Sequence, residues 1–145
     1  MNTIIVAVDF SSITSSLIEK AAEMAICYGA RIYIIHVAAP DPEFVGYKVG
    51  PVHERQSLVK ELNKEKRELE KLAERLRGEG IEVVPLLIQG ATAELIVTET
   101  QRLDAKLLIM GTHGHGLALS ALLGSTSHQV MHHVSCPVLL VPCMK

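Results

Sequence analysis

Three glycines and the small hydroxyl residues beside one of them are the part of this chain best suited to chemistry. In "GTHGHGLALSALLGSTS" they stand as Gly111-x-x-Gly114, then nine residues, then Gly124-Ser125-Thr126. Glycine lets a backbone turn with positive φ or come very close to another group, and Ser or Thr beside it can open a helix. A helix N-terminus presents unpaired N–H groups and the positive end of a dipole, so this combination suits a bound phosphate better than a plain turn.

Two common phosphate loops are excluded. No glycine is followed by lysine, so the G-x-x-x-x-G-K-[ST] loop of P-loop hydrolases is absent. The dinucleotide fingerprint G-x-G-x-x-G belongs in the first strand-to-helix turn, and that turn reads "DFSS". Asp9 in this turn could hydrogen-bond a ligand or cap the following helix. With Ser11 and Ser12 expected to cap, the ligand role is favoured.

The histidines suggest metal ligation less than they first seem to. His113 and His115 form H-x-H, and "HQVMHH" places His128 and His132 four apart on a helix. Gln129 stands where a metalloprotease has its glutamate base. Helical phase puts Ser127, Val130, Met131 and Val134 inward and turns His128 and His132 about 120° away, toward solvent. No metal site and no catalytic residue is assigned.

The elements that would position these residues alternate. "TIIVAVDF" is an apolar run suited to a strand covered on both faces. From Ser11 to Tyr28 the spacing is helical, with Leu17, Ala21, Met24 and Ala25 on one stripe and Gly29 closing it. "RIYIIHV" is a second strand, and "AAPDPEFVGYKVGPV" is an aperiodic flap-like loop. A charged helix over about 53 to 78 carries the stripe Leu58, Leu62, Leu69, Leu72 and Leu76, its charges reading as a solvated outer face. "IEVVPLLIQG" is a third strand whose Pro85 suggests a sheet edge. A helix from about Ala91 to Arg102, the strand "AKLLIMG", a helix from about Ser125 to Val134 and the strand "CPVLLVP" complete the chain. Such alternation forces parallel pairing and right-handed crossovers, giving an α/β, doubly wound sheet. Ligands of these sheets bind beyond the carboxyl ends of strands, where strand order reverses, and both "VDFSS" and "MGTHGHG" sit at such ends.

Composition narrows the class. The chain has 145 residues, 48% hydrophobic and 21% charged, which suits a single globular domain over 1–145. No apolar run approaches the ~18 residues of a membrane span, and the amino terminus lacks the features of a secretory signal. A formal net charge of -2 argues against nucleic acid as a partner. Cys27, Cys136 and Cys143 show neither C-x-x-C spacing nor an even count, so a reducing, cytoplasmic setting is expected. Cys27 and Cys136 read as buried small hydrophobes, and Cys143 as potentially exposed.

The spacing G-x2-G-x9-G-[ST], with "IIVAVDFS" at the start and "LLGSTSHQVMHHVSCPVLLVP" at the end, resembles the universal stress protein family in its ATP-binding branch. The resemblance implies a Rossmann-like five-stranded parallel sheet of order 3-2-1-4-5. It places Ala7, Val8, Asp9 and Val37 against adenosine, Met110 and Gly111 near ribose and base, and His113, Gly114, Gly124, Ser125 and Thr126 around the phosphates. Ala7 departs from the proline of some members. With no lysine or arginine in the loop, Mg or Mn is expected to accompany ATP. The expected role is an ATP-dependent switch or sensor in a stress response, with little or slow hydrolysis because no charged group is placed for phosphoryl transfer. A slow ATPase or phosphotransferase and a nucleotide-independent dimeric interaction protein are the alternatives. The uncharged edge Val138, Leu139, Leu140 and Val141 predicts a homodimer through the last strand.

Overall fold

The computed structural model describes residues 2–38, 52–113 and 123–143, with the backbone alone for 52–55. Gly114, His115 and most of the loop expected over 38 to 52 lie outside these residues. The elements run β1 (Thr3–Ala7), α1 (Thr14–Tyr28), β2 (Arg31–Ala38), α2 (Val52–Gly78), β3 (Val83–Gln89), α3 (Thr92–Arg102), β4 (Leu107–Gly111), α4 (Ser125–His133) and β5 (Val138–Val141). They form a five-stranded sheet of order β3-β2-β1-β4-β5 in which every neighbouring pair is parallel. The doubly wound α/β architecture and the strand order are those expected.

Alternation along β1 explains why both faces are covered. Ile4, Val6 and Val8 enter a core with α1 residues Leu17, Ile18, Ala21 and Ala25 and α2 residues Leu69, Ala73 and Leu76. Ile5 enters the opposite core with Ala93 and Ile96 of α3, Leu108 and Met110 of β4, and Val130 of α4. α1 and α2 thus cover one face, and α3 and α4 the other. Chain order reverses between β1 and β4, paired through Ile5 and Leu108, so the carboxyl ends of these strands border the switch point.

Punctuation residues act as their chemistry requires. Gly29 takes φ 58 at the end of α1, and its N–H donates to the Ala25 carbonyl. Pro85 lies on the edge strand β3, where its missing donor leaves no ladder bond broken.

Five local expectations are corrected. Ser11 and Ser12 do not cap α1, which begins at Thr14; the Ser11 N–H donates to Asp9 Oδ1 at 3.0 Å, and the serines belong to the turn before the helix. Cys27 is exposed, because the buried stripe of α1 runs through Ile18, Ala21, Ala22 and Ala25 and leaves Ile26 to Tyr28 outside. Cys136 is half-buried, and burial pushes its thiol pKa up. Met131 is 43% exposed, since α4 seats Ser127 and Val130 inward and turns the next position outward. The fifth correction concerns α2, whose Glu65 leaves the solvated face and lies inward against β2.

Candidate functional site

The site forms where β1 and β4 end. Beyond Ala7 the chain turns sharply through Asp9 and Phe10, and Phe10 holds φ 59, a left-handed conformation that costs a non-glycine residue about 1–2 kcal/mol. Asp9 Oδ1 accepts the Ser11 N–H and stabilises this turn. The carboxylate therefore has a local structural task in the turn, and it does not cap α1 as the alternative reading of the sequence had it.

At the end of β4, Thr112 extends the ladder through its N–H to the Val141 carbonyl at 3.0 Å. The Gly124 N–H donates back to the Thr112 carbonyl at 2.7 Å, and the Ser127 hydroxyl donates to the carbonyls of Gly111 at 2.8 Å and Thr112 at 3.2 Å. These bonds lock the first turn of α4 onto the end of β4. Among the described residues no side chain caps α4, so the N-terminal amides that helix geometry leaves without carbonyl partners open toward the cleft.

Two adjoining cavities, of ≈ 90 and ≈ 240 Å³, occupy the space between these ends. Ala7, Val8, Asp9 and Thr126 line both; Met110, Gly111 and His113 line the smaller, and Val37, Gly124 and Ser125 the larger. The fold thus brings together all the predicted site residues that it describes. Thr92 and Ile96 of α3 and Ser127 also line both cavities and were not anticipated. The signal for Thr92 was its place in the first turn of a helix following a strand.

The two described loop glycines serve different ends. A Cβ on Gly111 would stand 3.3 Å from the His113 carbonyl oxygen and 3.5 Å from Ile13, so the protein itself makes the close approach there. Gly124 has φ -68 and ψ 162, a conformation open to any residue, so its backbone angles do not demand glycine. Thr112 Oγ1 lies 3.0 Å from His113 Nδ1 and holds that ring beside the cleft.

Charge in the cleft is sparse: Asp9 and His113 are the titratable groups among its described lining, with no lysine or arginine. Among the described residues no group of three or more His, Cys, Asp or Glu side chains could hold a metal ion. His128 and His132 are exposed, as their helical phase predicts, with ring centroids 4.6 Å apart. The described residues contain no helix long and apolar enough to cross a membrane. The arrangement can hold an anion at the start of α4 and a flat apolar group against Val37 and Met110.

Comparisons with known proteins agree with this geometry. The sequence profile of the universal stress protein family matches residues 1–142. A universal stress protein of Thermus aquaticus, encoded in the 3' region of a QAH/OAS sulfhydrylase, is 36% identical over 145 residues, spanning 96% of this chain and 97% of its own. The universal stress protein of Archaeoglobus fulgidus solved in complex with dAMP superposes with a TM-score of 0.72 at 21% identity, covering 97% of each chain. A universal stress protein solved in complex with cAMP gives 0.69 at 20% identity, covering 97% of this chain and 96% of its own.

Proposed function

The chain belongs to the universal stress protein family, and from that membership we propose that it binds ATP between the carboxyl ends of β1 and β4, as a nucleotide-dependent switch or sensor in a stress response. One observation carries this reading: an uncapped α4 N-terminus, with Gly124 at its start, faces the same cleft as Asp9 and Val37. Adenosine would lie against Ala7, Val8, Asp9 and Val37, with Met110 and Gly111 at ribose and base. The phosphates would meet His113, Gly124, Ser125 and Thr126, with Gly114 of the same motif. Nucleotide binding by two structural neighbours, as dAMP and cAMP complexes, supports an adenine ligand.

The triphosphate carries more charge than one helix end neutralises, and the described lining offers no cation. Mg or Mn held by phosphate oxygens and water would supply it. Isothermal titration of the purified chain with ATP and Mg tests the reading: saturable binding at one site per chain is expected, and no binding at millimolar ATP contradicts it. Turnover at saturating Mg-ATP should stay far below the ~1 per second of ordinary enzymes, because no lysine or arginine is among the described residues lining the cleft. Faster phosphate release from a homogeneous preparation would move the protein into the ATPase or phosphotransferase class.

We also propose a homodimer through β5, the sheet edge opposite β3. Leu139 and Val141 pack on one core and Val138 and Leu140 on the other, so this short edge has little charge to blunt it. Main-chain pairing with an antiparallel copy would close the sheet about a two-fold axis. Light scattering at micromolar concentration should give twice the mass of the chain; a monomer contradicts the dimer. Lysine at any of these positions would disturb a core as well as the edge, so the mass of the unaltered protein is the cleaner observable.

A further inference from the structure

A buried pair outside the nucleotide contacts lies behind the Asp9 turn. His36, on β2, is 7% exposed. Its Nδ1 lies 2.9 Å from the Val8 carbonyl oxygen, and a carbonyl only accepts, so Nδ1 carries the hydrogen and donates. The same ring packs on Phe10 with centroids 4.5 Å apart. Through these contacts His36 holds both sides of Asp9, including the left-handed Phe10.

The opposite edge of the ring is unsatisfied. His36 Nε2 faces Glu65 Oε2 of α2 at 3.4 Å, and among the described residues neither atom has a hydrogen-bond partner. With Nδ1 protonated, a neutral imidazole presents a lone pair at Nε2, and a carboxylate presents only acceptors. Two buried acceptors facing each other are unfavourable, whereas one added proton turns the contact into a charge-assisted hydrogen bond, whichever atom holds it. Glu61, Lys64 and Glu68 of α2 and Asp9 from the turn line the cavity beside the pair, and β3 sets apolar Leu87 in register with His36. Acidic groups outnumber the one lysine there.

We propose that His36 and Glu65 are a proton-dependent positioning pair: the proton between them ties α2 to β2 and fixes the Val8–Phe10 turn, and with it Asp9, in the geometry that receives a nucleotide. This rests on the nucleotide reading above for its ligand, but not for the proton. The sign follows from the geometry. The protonated pair makes the bond, so its contribution is present at lower pH and lost as pH rises. Imidazole changes charge in the range where this can be read, roughly pH 5 to 8.

The test compares ATP affinity at about pH 6 and about pH 8 in wild type, Glu65→Gln and His36→Asn. All other groups of the site and the nucleotide are common to the three chains, so the difference between chains isolates the pair. Wild type should weaken by about tenfold more than Glu65→Gln over this range, the worth of one such hydrogen bond. The amide of Glu65→Gln can donate to Nε2 at every pH, keeping affinity high and removing the extra dependence. His36→Asn keeps a donor for the Val8 carbonyl and removes the proton site, so its extra dependence should vanish too. An equal pH dependence in wild type and both variants overturns the proposal. Urea unfolding of the ligand-free chain separates this from failure of the nucleotide reading: the wild-type midpoint should fall from pH 6 to pH 8 and the Glu65→Gln midpoint should not, even if no nucleotide binds. Parallel midpoints would overturn the pair itself.

Discussion

Replacing Gly124 with valine is expected to lower ATP affinity by at least about 100-fold. The glycine precedes α4 and lines the cleft, and its N–H is already committed to the Thr112 carbonyl. A side chain here would hold phosphate oxygens away from the amides that follow. Two such charge-assisted bonds, at about 1.5–3 kcal/mol each, exceed the roughly 2.7 kcal/mol that a hundredfold represents. Because φ -68 and ψ 162 suit any residue, the backbone conformation survives, and Gly124→Ala should give a smaller loss in the same direction. A folded Gly124→Val chain with wild-type affinity would remove the phosphate site from the start of α4.

Ile5→Ala should destabilise the fold by about 3 kcal/mol. Ile5 is 0% exposed on the central strand, paired with Tyr33 of β2 and Leu108 of β4 and packed into the core beneath α3 and α4. Deleting its outer carbons loses their transfer free energy and leaves a cavity that a five-stranded sheet cannot collapse around, which places the cost within the 2–5 kcal/mol seen for such truncations. The urea midpoint should fall with an unchanged slope. A loss under about 1 kcal/mol would mean that the two faces of the sheet are less tightly packed than they look.

Sheet and crossovers were legible because their signals are local and periodic. The apolar run of β1, the 3.6-residue stripe of α1 and the stop at Gly29 each follow from neighbours within a few positions. Pro85 even marked an edge strand. Strand order beyond adjacency came with the family resemblance, since nothing in alternation distinguishes where β4 inserts. The glycine motif singled out the cleft for a related reason: it concentrates unusual residue types at a strand end.

What stayed hidden depends on contacts between distant segments. Glu65 was read with the solvated charges of α2, yet it lies three residues after Leu62 and four before Leu69, on the very stripe that packs inward. His36, a polar residue inside the apolar run of β2, carries no local signal because its partners sit at Val8 and on α2. The serines before α1 looked like caps because the turn that takes them out of the helix depends on the Asp9 carboxylate and the left-handed Phe10. Met131 is placed inward by spacing and Cys27 by the usual burial of its residue type, and each lies about a quarter-turn or more from the buried stripe of its helix.

A crystal structure of the chain grown with ATP and Mn²⁺ tests the central claim most directly. The account predicts one nucleotide per chain, its adenine against Val37 beside Asp9 and its phosphates beside Gly124 at the amides of Ser125 and Thr126, in the cleft between β1 and β4. Nucleotide bound elsewhere on the chain, or an empty cleft in a crystal saturated with ATP, would contradict it.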